Sequence, residues 1–493
     1  MSTVLAVDQS TSATKALLFD ETGHVIDRES MEHAQHYPKP GWVEHDADEI
    51  YRNTVEAIRI LLARHSDIER DLLCLSITNQ RETVVVFERG TGKPLYHAIV
   101  WQCRRGEPIC DRLMKAGHSD MVRQKTGLRI DTYFPASKIT WLLENEPDIK
   151  RKLESGEALL GTIDTYLIYR LTHGTVFATD QTNASRTLLF DIHTLHWDTE
   201  LCTLFGVPHH ALAEIRDSSA VYGETSVEGV LSRPIPICGV MGDSQAALFA
   251  EHCFKPGMAK VTFGTGSSVL LNIGDQVRLS GTGGVTTIGW RVNGITVYAF
   301  EGIINFTGGT IAWLKDQLEL IHDPRETETL AESVPDNGGV YLVPAFVGLS
   351  APYWNPNAKA AIVGLTPAAT RAHVVRAALE SIAYQVKDVL DLMCAEAGIT
   401  MQQVHGDGGM VNNHFLMQYV ADVTGLTVRA SDTPELSPLG AVLAGLLGLK
   451  RYASLADLEA LPHGFTDYAP TTNRSRFEAA YAGWLAAVQQ VLI

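Results

Sequence analysis

The sequence lacks the cysteine patterns of disulfide-bonded and zinc-binding proteins. It contains seven cysteines, an odd number, and no two of them form a C-x-x-C pair. Disulfide frameworks and structural zinc sites depend on such pairing. The scattered cysteines therefore predict reduced thiols and a cytoplasmic protein.

An excess of positive charge is also absent. The formal net charge is −17 at pH 7, whereas proteins that bind nucleic acid or anionic membranes present a basic face. We therefore expect no nucleic-acid partner. An anionic nucleotide is still allowed, because a metal ion and local loops can reverse the sign of the potential.

Long apolar runs and targeting segments are missing as well. The longest mostly apolar run, residues 436–449, contains Pro438 and is shorter than the roughly 20 residues that a membrane helix needs. Residues 1–3 lead into an apolar strand without a basic segment or cleavage pattern. The sequence predicts neither a membrane span nor a signal peptide.

The length and the periodicity predict two α/β domains. A chain of 493 residues exceeds what one hydrophobic core supports. Apolar residues at helical spacing over 372–392 predict a helix, and strands alternating with such helices are typical of α/β proteins. No linker composition marks a boundary. We place it near Phe249, giving domains 1–248 and 249–493, with the site in the cleft between them.

Each half opens with a predicted hairpin that has a small, polar tip. Residues 4–7 and 16–19 are apolar and flank the turn 8–15. In the same way residues 259–263 and 269–272 flank the turn Gly264-Thr265-Gly266-Ser267-Ser268. The first turn offers hydroxyls, Lys15 for phosphate charge and Asp8 for Mg²⁺. An ordinary hairpin with a polar tip is the alternative for each segment taken alone.

Arg81 and Glu82 form the most informative pair in the sequence. A guanidinium donates hydrogen bonds and a carboxylate accepts them, so the two together can hold neighbouring hydroxyls, while Trp101 can cover the carbon chain. This pattern indicates a small polyhydroxylated ligand. The alternative is a surface ion pair at the end of a buried strand, since residues 73–78 are typical of one.

Asp243 is the candidate for proton transfer. It follows the apolar stretch 235–241 and precedes an alanine-rich segment, which places it at the junction of a strand and a helix. A carboxylate there can accept the proton of an attacking hydroxyl in phosphoryl transfer. The alternative interpretation is a helix N-cap.

Longer segments of the sequence point to one family. Residues 79–83, 99–105, 133–145, 360–380 and 37–45 resemble segments of glycerol kinases in the FGGY carbohydrate-kinase family, and the resemblance covers nearly the whole chain. It implies two actin-like (RNase H-like) ATPase domains, an ATP- and Mg²⁺-dependent polyol kinase and a homodimer or homotetramer. Glycerol would be phosphorylated to glycerol 3-phosphate.

The resemblance also implies roles for individual residues. Asp243 would be the general base and would share the metal with Asp8. The implied polyol-binding residues are Arg81, Glu82, Trp101, Tyr133, Asp243, Ser244 and Ser268. The implied nucleotide-binding residues are Thr11, Ser12, Ala13, Lys15, Thr265, Gly308, Ala312, Gly409 and Asn413. Residues 407–413 resemble the adenosine motif, and Glu301-Gly302 with Gly308-Gly309 resemble a segment that lines the nucleotide pocket.

Departures from the family keep a second substrate class open. Ser244 replaces a glutamine that contacts substrate in the family, and Ser268 replaces a phenylalanine that lies against the glycerol carbons. Both changes predict a wider, more polar pocket. Ala312 replaces a glutamine near the adenine, and Lys15 replaces an arginine. The alternatives are a kinase of erythritol, threitol, xylitol or xylulose, a non-catalytic nucleotide sensor, and an actin-like polymerising protein.

Overall fold

Groups of strands and groups of helices follow one another along the described residues. The computed structural model describes residues 2–65, 67–281, 284–472 and 474–492. In chain order the strands are β1 (Thr3–Gln9), β2 (Ala13–Asp20), β3 (Val25–Glu32), β4 (Glu44–His45), β5 (Leu72–Asn79), β6 (Val84–Glu88), β7 (Ala98–Ile99), β8 (Ala158–Thr162), β9 (Ala178–Asp180), β10 (Phe190–Asp191), β11 (His196–Trp197), β12 (Glu214–Arg216), β13 (Val221–Thr225), β14 (Ile235–Gly242), β15 (Met258–Phe263), β16 (Ser267–Gly274), β17 (Val285–Val292), β18 (Ile295–Ile304), β19 (Tyr341–Val343), β20 (Ala361–Val363), β21 (Gln403–Asp407), β22 (Val428–Ser431) and β23 (Phe465–Tyr468). The α-helices are α1 (Ala47–Arg64), α2 (Glu107–Lys115), α3 (Ser119–Thr126), α4 (Pro135–Asn145), α5 (Pro147–Glu154), α6 (Ile163–Leu171), α7 (Gln181–Ala184), α8 (Thr199–Phe205), α9 (Asp243–Ala250), α10 (Gly308–Asp316), α11 (Glu326–Glu332), α12 (Arg371–Ala397), α13 (His414–Thr424), α14 (Leu436–Gly448), α15 (Leu455–Glu459) and α16 (Arg474–Val491).

The first half is built on a six-stranded sheet in the order β13-β14-β5-β1-β2-β3. Strands β1 and β2 form the predicted hairpin, in which Asp8 is paired with Lys15. Strand β5 runs parallel to both β1 and β14. The carboxyl ends of these three strands therefore meet at one edge, where α/β proteins commonly bind ligands.

The second half repeats this arrangement in a seven-stranded sheet, ordered β17-β18-β16-β15-β21-β22-β23. Strands β15 and β16 form the second predicted hairpin, and β21 runs parallel to β15 with Thr262 opposite Asp407. Each half thus has an antiparallel hairpin beside a parallel strand. The prediction of an α/β protein with two sheet-based domains is confirmed.

Helix α14 belongs to the second half by sequence but packs against the first. Its apolar side chains share one buried cluster with residues of β1, β2 and α9. A side chain at Gly440 would meet the backbone oxygen of Ala246 at 1.8 Å, so only glycine permits this close approach. The predicted boundary between residues 248 and 249 stays a prediction, and across it the two halves share a core.

The longest helix is α12, which extends the predicted 372–392 segment to Arg371–Ala397. No described helix is both long enough and apolar enough to cross a membrane. All seven cysteines are free thiols, and only Cys394 is more than slightly exposed.

Candidate active site

The Arg81–Glu82 pair lies in the tight connection between β5 and β6. The exposed fractions of the two residues are only 6% and 1%. Glu82 has a φ of 62°, a left-handed conformation that costs a residue other than glycine on the order of 1–3 kcal/mol and is typical of functional sites. The sequence alternative of a surface ion pair does not fit this burial.

Two further charged residues complete what we call the charged cluster: Arg81, Glu82, Arg186 and Glu301. Arg81 donates from Nη2 to Glu301 Oε1 at 2.7 Å. Arg186 donates from Nε to Glu82 Oε1 at 2.6 Å, and its Nη2 lies 2.6 Å from Glu301 Oε2. Two buried cations thus face two buried anions, an arrangement that compensates the desolvation of each charge.

The pKa values follow from this pairing. Burial would raise the pKa of Glu301, but Arg186 and Arg81 outweigh it and hold the pKa at about 2. Burial also raises the pKa of Glu82, against the effect of both arginines. Glu301 therefore stays ionised at neutral pH and fixes the two guanidinium groups in place.

The sequence interpretation placed Glu301 with the nucleotide pocket, and the structure places it in the charged cluster instead. Neither Arg186 nor Gln245, whose Oε1 accepts a hydrogen bond from Arg81 Nη1 at 3.1 Å, was singled out. These partners are 104 to 220 residues from Arg81 or Glu82 in sequence. The sequence does contain a signal that could have pointed to Arg186: it is the one charged residue within residues 181–190.

The two predicted aromatic residues are in contact beside the charged cluster. The rings of Trp101 and Tyr133 meet edge to face with centroids 5.5 Å apart. Trp101 Nε1 donates to Thr11 Oγ1 at 3.0 Å, which links the predicted polyol wall to the first hairpin. Buried Lys138 donates to the backbone oxygen of Tyr133 at 2.7 Å and so anchors the backbone that carries the other ring.

Asp243 is the first residue of α9, and Gly242 occupies the N-cap position. The N-cap interpretation of Asp243 therefore does not apply. Its Oδ1 accepts a hydrogen bond from the backbone N–H of Ser244 at 2.6 Å and lies 3.2 Å from Arg81 Nε. The side chain is 40% exposed, so it is held by Arg81 while still open to a ligand.

Asp243 faces a cavity of about 290 Å³ that we call the acidic cavity. Its charged and hydroxyl lining residues are Asp8, Lys15, Asp243, Ser244, Lys260, Thr262, Asp407, Thr433, Glu435 and Ser437. Residues from both hairpins and from the strand ends beside them meet here. The sequence prediction that Asp8, Lys15 and Asp243 share a site agrees with this geometry.

Asp8 carries the clearest sign of crowded negative charge. Burial raises its pKa to about 7; Lys15 opposes this rise, and the carboxylates of Glu435 and Asp243 add to it. Lys15 Nζ lies 2.8 Å from Glu435 Oε2 and 3.7 Å from Asp8 Oδ2. Glu435, which also contacts Arg28, was not recognised in the sequence.

A buried lysine lies under the second hairpin. Lys260 donates to Thr262 Oγ1 at 2.5 Å and lies 3.7 Å from Asp407 Oδ2. Behind it the carboxylate of Glu251 is fully buried, and burial together with Asp407 raises its pKa well above the usual range. Lys260 is thus the cation that the second half contributes to the acidic cavity, and sequence reasoning missed it.

A third set of predicted residues shares what we call the glycine-rich cavity, about 460 Å³ in volume. These residues are Thr265, Gly308, Ala312, Gly409 and Asn413. A Cβ atom at Gly308 would lie 2.6 Å from the backbone oxygen of Gly264. Glycine at this position therefore permits the close approach of the two backbone segments. Asn413 caps α13 by accepting from the Leu416 N–H at 2.9 Å.

The remaining predicted nucleotide residues, Thr11, Ser12 and Ala13, form the tip of the first hairpin. Ser12 is exposed and Ala13 is buried. Ser10 Oγ donates to the Ala13 oxygen at 2.9 Å and closes the turn. The tip therefore presents one exposed hydroxyl, on Ser12, beside a half-buried one on Thr11.

The two serines that depart from the family lie in different places. Ser244 lines the acidic cavity. Ser268 lies on β16, opposite Ile303 of the neighbouring strand, and its Oγ has no hydrogen-bond partner in the described parts of the chain. Ser244 therefore faces the acidic cavity, whereas Ser268 is placed by its strand register beside Ile303, and the two do not share one wall.

Comparison with known proteins gives the class to which this fold and site belong. The model of the N-terminal domain of the FGGY family of carbohydrate kinases matches residues 3–250, and that of the C-terminal domain matches residues 259–449. Glycerol kinase 1 of Thermotoga maritima is 47% identical over 489 residues, covering 99% of both chains. Glycerol kinase of Symbiobacterium thermophilum is 48% identical over 490 residues, covering 99% of this chain and 98% of its own.

A solved structure agrees over the same length. Plasmodium falciparum glycerol kinase with ADP superposes with a TM-score of 0.96 at 37% identity, covering 100% of this chain and 99% of that one. The two lobes thus form a phosphotransferase of the actin-like type. The chain belongs to the FGGY family of carbohydrate kinases, as its motifs predict.

Proposed function

We propose that the protein transfers the terminal phosphoryl group of ATP to glycerol and forms glycerol 3-phosphate and ADP. Full-length similarity to proteins named glycerol kinase, one of them solved with ADP, supports this proposal. The observation in this chain that carries it is the position of Asp243. This carboxylate faces the acidic cavity and lies 3.2 Å from an arginine of the charged cluster.

In the proposed reaction Asp243 accepts the proton of the attacking terminal hydroxyl. The hydroxyl oxygen forms a new bond to the γ-phosphorus, and the bond from that phosphorus to the bridging oxygen of ADP breaks. Arg81 and Glu82 hold the other hydroxyls, and Trp101 and Tyr133 cover the carbon chain. The protein mainly aligns the reactants and excludes water, which would otherwise compete as the acceptor.

The charge balance of the acidic cavity fits a Mg²⁺ ion held by Asp8 and Asp243. The described residues contain no group of three or more histidine, cysteine, aspartate or glutamate side chains arranged for a metal. Mg²⁺ needs fewer protein ligands, because one or two carboxylates plus phosphate oxygens and waters commonly suffice. When bound, the ion would neutralise charge on the transferring phosphoryl group.

The nucleotide would lie across both hairpins. We place the adenosine in the glycine-rich cavity, against Gly409 and Ala312, and the phosphates between the tips of the first and second hairpins. Lys15 would exchange part of its contact with Glu435 for a phosphate oxygen. We also propose a cytoplasmic homodimer or homotetramer, which sedimentation analysis of the purified protein would check.

ADP release by the purified protein, measured with and without glycerol, tests the proposal. A kinase should release ADP in proportion to glycerol 3-phosphate, with little release when glycerol is omitted. A nucleotide sensor would bind ATP without glycerol-dependent turnover. An actin-like polymer would consume ATP during assembly, independently of any polyol. Either of these last two results would contradict the proposal.

A further inference from the structure

The short helix α7 contacts the ends of the two strands that lead to Arg81 and Asp243. Its N-cap residue is Asp180, and Thr182 and Asn183 lie in its single turn. These last three residues, which we call the α7 brace, are fully buried. Their polar groups therefore find their hydrogen-bond partners within the protein, and those partners show what the brace holds.

Thr182 holds the end of β14. Its Oγ1 accepts a hydrogen bond from the backbone N–H of Gly242 at 2.8 Å and donates one to Asp180 Oδ1 at 2.8 Å. Gly242 is the last residue of β14, and Asp243 follows it as the first residue of α9. The hydroxyl of Thr182 therefore fixes the backbone immediately before the proposed base.

Asn183 holds the end of β5 in a similar way. Its side-chain amide and that of Asn79 exchange two hydrogen bonds, of 3.0 and 3.1 Å. Asn79 also donates to the backbone oxygen of Gln80, the residue before Arg81, at 2.9 Å. In the parallel register of the sheet Asn79 lies opposite Gly242. The two arms of the brace therefore hold the two strands at the same level.

Asp180 connects the two arms. Its carboxylate accepts hydrogen bonds from the backbone N–H groups of Thr182 and Asn183, at 3.0 and 2.9 Å, and from both of their side chains, at 2.8 and 2.9 Å. Ser218 Oγ donates to it at 2.7 Å. A buried carboxylate with this many donors is well compensated, and the network holds its members in one geometry.

The brace bears on the reaction because Arg81 and Asp243 must keep their separation. Arg81 Nε lies 3.2 Å from Asp243 Oδ1, and the two residues follow different strands. A misplacement of about 1 Å that originates far from the chemistry can lower a rate about 10²-fold. We propose that the α7 brace sets the spacing of these two residues and thereby supports phosphoryl transfer. The inference rests on the proposed kinase function, and the members of the brace are positioning residues, since they act through the strand ends.

The first test removes one hydroxyl. Thr182→Val keeps the shape of the side chain and leaves the Gly242 N–H without this acceptor, so kcat for glycerol should fall about 10- to 100-fold. KM for ATP should be nearly unchanged, and Thr182→Ser, which restores the hydroxyl, should recover most of the loss. The matched control is Thr54→Val, at an equally buried threonine whose Oγ1 donates to a carbonyl oxygen within α1. Its kcat should equal that of the wild type.

The second test removes the other arm. Asn183→Leu breaks the amide pair with Asn79 and so loosens the backbone before Arg81, which should raise KM for glycerol roughly tenfold. This variant acts on a different strand from Thr182→Val and tests the inference by itself if the valine variant does not fold. Thermal unfolding midpoints show which variants are folded.

The kinetics of the folded variants decide the outcome. A brace that only stabilises the fold would lower the unfolding midpoints and leave kcat and KM unchanged, and this result would overturn the inference. A loss of kcat in Thr54→Val equal to that in Thr182→Val would also overturn it. In both cases wild-type protein that releases ADP with glycerol leaves the proposed function standing. Wild-type protein without glycerol-dependent ADP release would overturn both.

Discussion

The charged cluster and the acidic cavity lie on two sides of Arg81 and differ in how their charge is balanced. In the cluster two arginines face two glutamates, all buried, and the pKa of Glu301 is held at about 2. In the cavity Asp8, Asp243, Asp407 and Glu435 outnumber Lys15 and Lys260, and burial raises the pKa of Asp8 to about 7.

The comparison separates two ways of preparing a site. The charges of the cluster compensate one another before any ligand binds, so the groups that we propose to bind hydroxyls are already oriented. The lining of the acidic cavity contains more carboxylates than lysines, and Arg81 and Arg28 pair with two of these carboxylates from outside the lining. A cation bound with the nucleotide would add to this compensation. If the proposed roles hold, the polyol-binding groups are preorganised, whereas the acidic cavity is completed by its ligands.

The largest expected effect is on catalysis and belongs to the acidic cavity. Asp243→Asn keeps the shape of the side chain and removes the proton acceptor, so kcat should fall about 10²–10⁴-fold. ATP binding, followed by calorimetry, should remain. Asp120→Asn, at the same type of position in the first turn of α3, should be neutral. A near-normal kcat in Asp243→Asn would contradict the assigned role.

The second prediction compares Arg186 of the cluster with Arg28, which contacts Glu435 in the lining of the acidic cavity. Arg186→Met leaves Glu82 and Glu301 without full compensation, and breaking a buried pair in this way costs about 3–5 kcal/mol. Arg28→Met removes a contact with Glu435 made by a side chain that is 57% exposed, for which about 0–1 kcal/mol is expected. Thermal unfolding midpoints measure both, and equal shifts would contradict the distinction.

The third prediction concerns Arg81, which belongs to the cluster and touches Asp243. Arg81→Ala removes charged hydrogen bonds, each worth about 1.5–3 kcal/mol, and should lower kcat/KM for the polyol roughly 10- to 100-fold. ATP affinity should be nearly unchanged, because the predicted phosphate contacts are on the hairpins. Steady-state kinetics with each substrate varied in turn will separate the two effects. Loss of ATP affinity with intact polyol affinity would mean that Arg81 serves the nucleotide.

The fourth prediction concerns the preference for glycerol over longer polyols. Ser244→Gln with Ser268→Phe restores bulk at two walls, and a methylene's worth of contact is about 1–3 kcal/mol of discrimination. The double variant should therefore favour glycerol over four- and five-carbon polyols more than the wild type does. Competition between substrates in one reaction gives the ratio directly, and no change in that ratio would rule out these positions as determinants.

The last prediction concerns pH and Lys138, which donates a hydrogen bond to the backbone oxygen of Tyr133. Burial lowers the pKa of Lys138 to about 8, although Glu82 opposes the change. The unfolded chain then binds more protons than the folded one between about pH 8 and pH 10.5, and this residue's contribution makes stability rise with pH in that window. Lys138→Met should flatten the rise relative to the wild type, as unfolding midpoints from pH 7 to 10 would reveal.

The sequence indicated the hairpins, Asp243 and the Arg81–Glu82 pair, but it did not indicate the distant residues that contact them. Alternating apolar segments predicted both hairpins, and the strand–helix junction at Asp243 followed from local pattern. Arg81 and Glu82 were recognised because they are adjacent. Glu301 was assigned to the wrong pocket and Arg186 was missed, because their contacts depend on tertiary packing between distant segments, which no local pattern encodes. The assigned roles at Asp8 and Asp243 remain predictions.

The domain arrangement shows the same limit. Periodicity predicted α/β halves and placed a boundary near Phe249, and nothing in the sequence signalled that α14 returns to the first sheet. Gly440 meets the backbone of Ala246 too closely for any side chain. Such a close approach leaves no sign in the sequence except the glycine itself.

The return of α14 has a consequence for how the protein is made. Strands β1, β2, β5 and β14 are all synthesised by residue 242, but the helix that covers them is complete only at Gly448. During translation the apolar face of the first sheet stays exposed while about 200 further residues are synthesised. At bacterial or eukaryotic elongation rates this takes roughly 10–40 s. We therefore expect this protein to depend most on chaperones while its first half is synthesised and α14 is not.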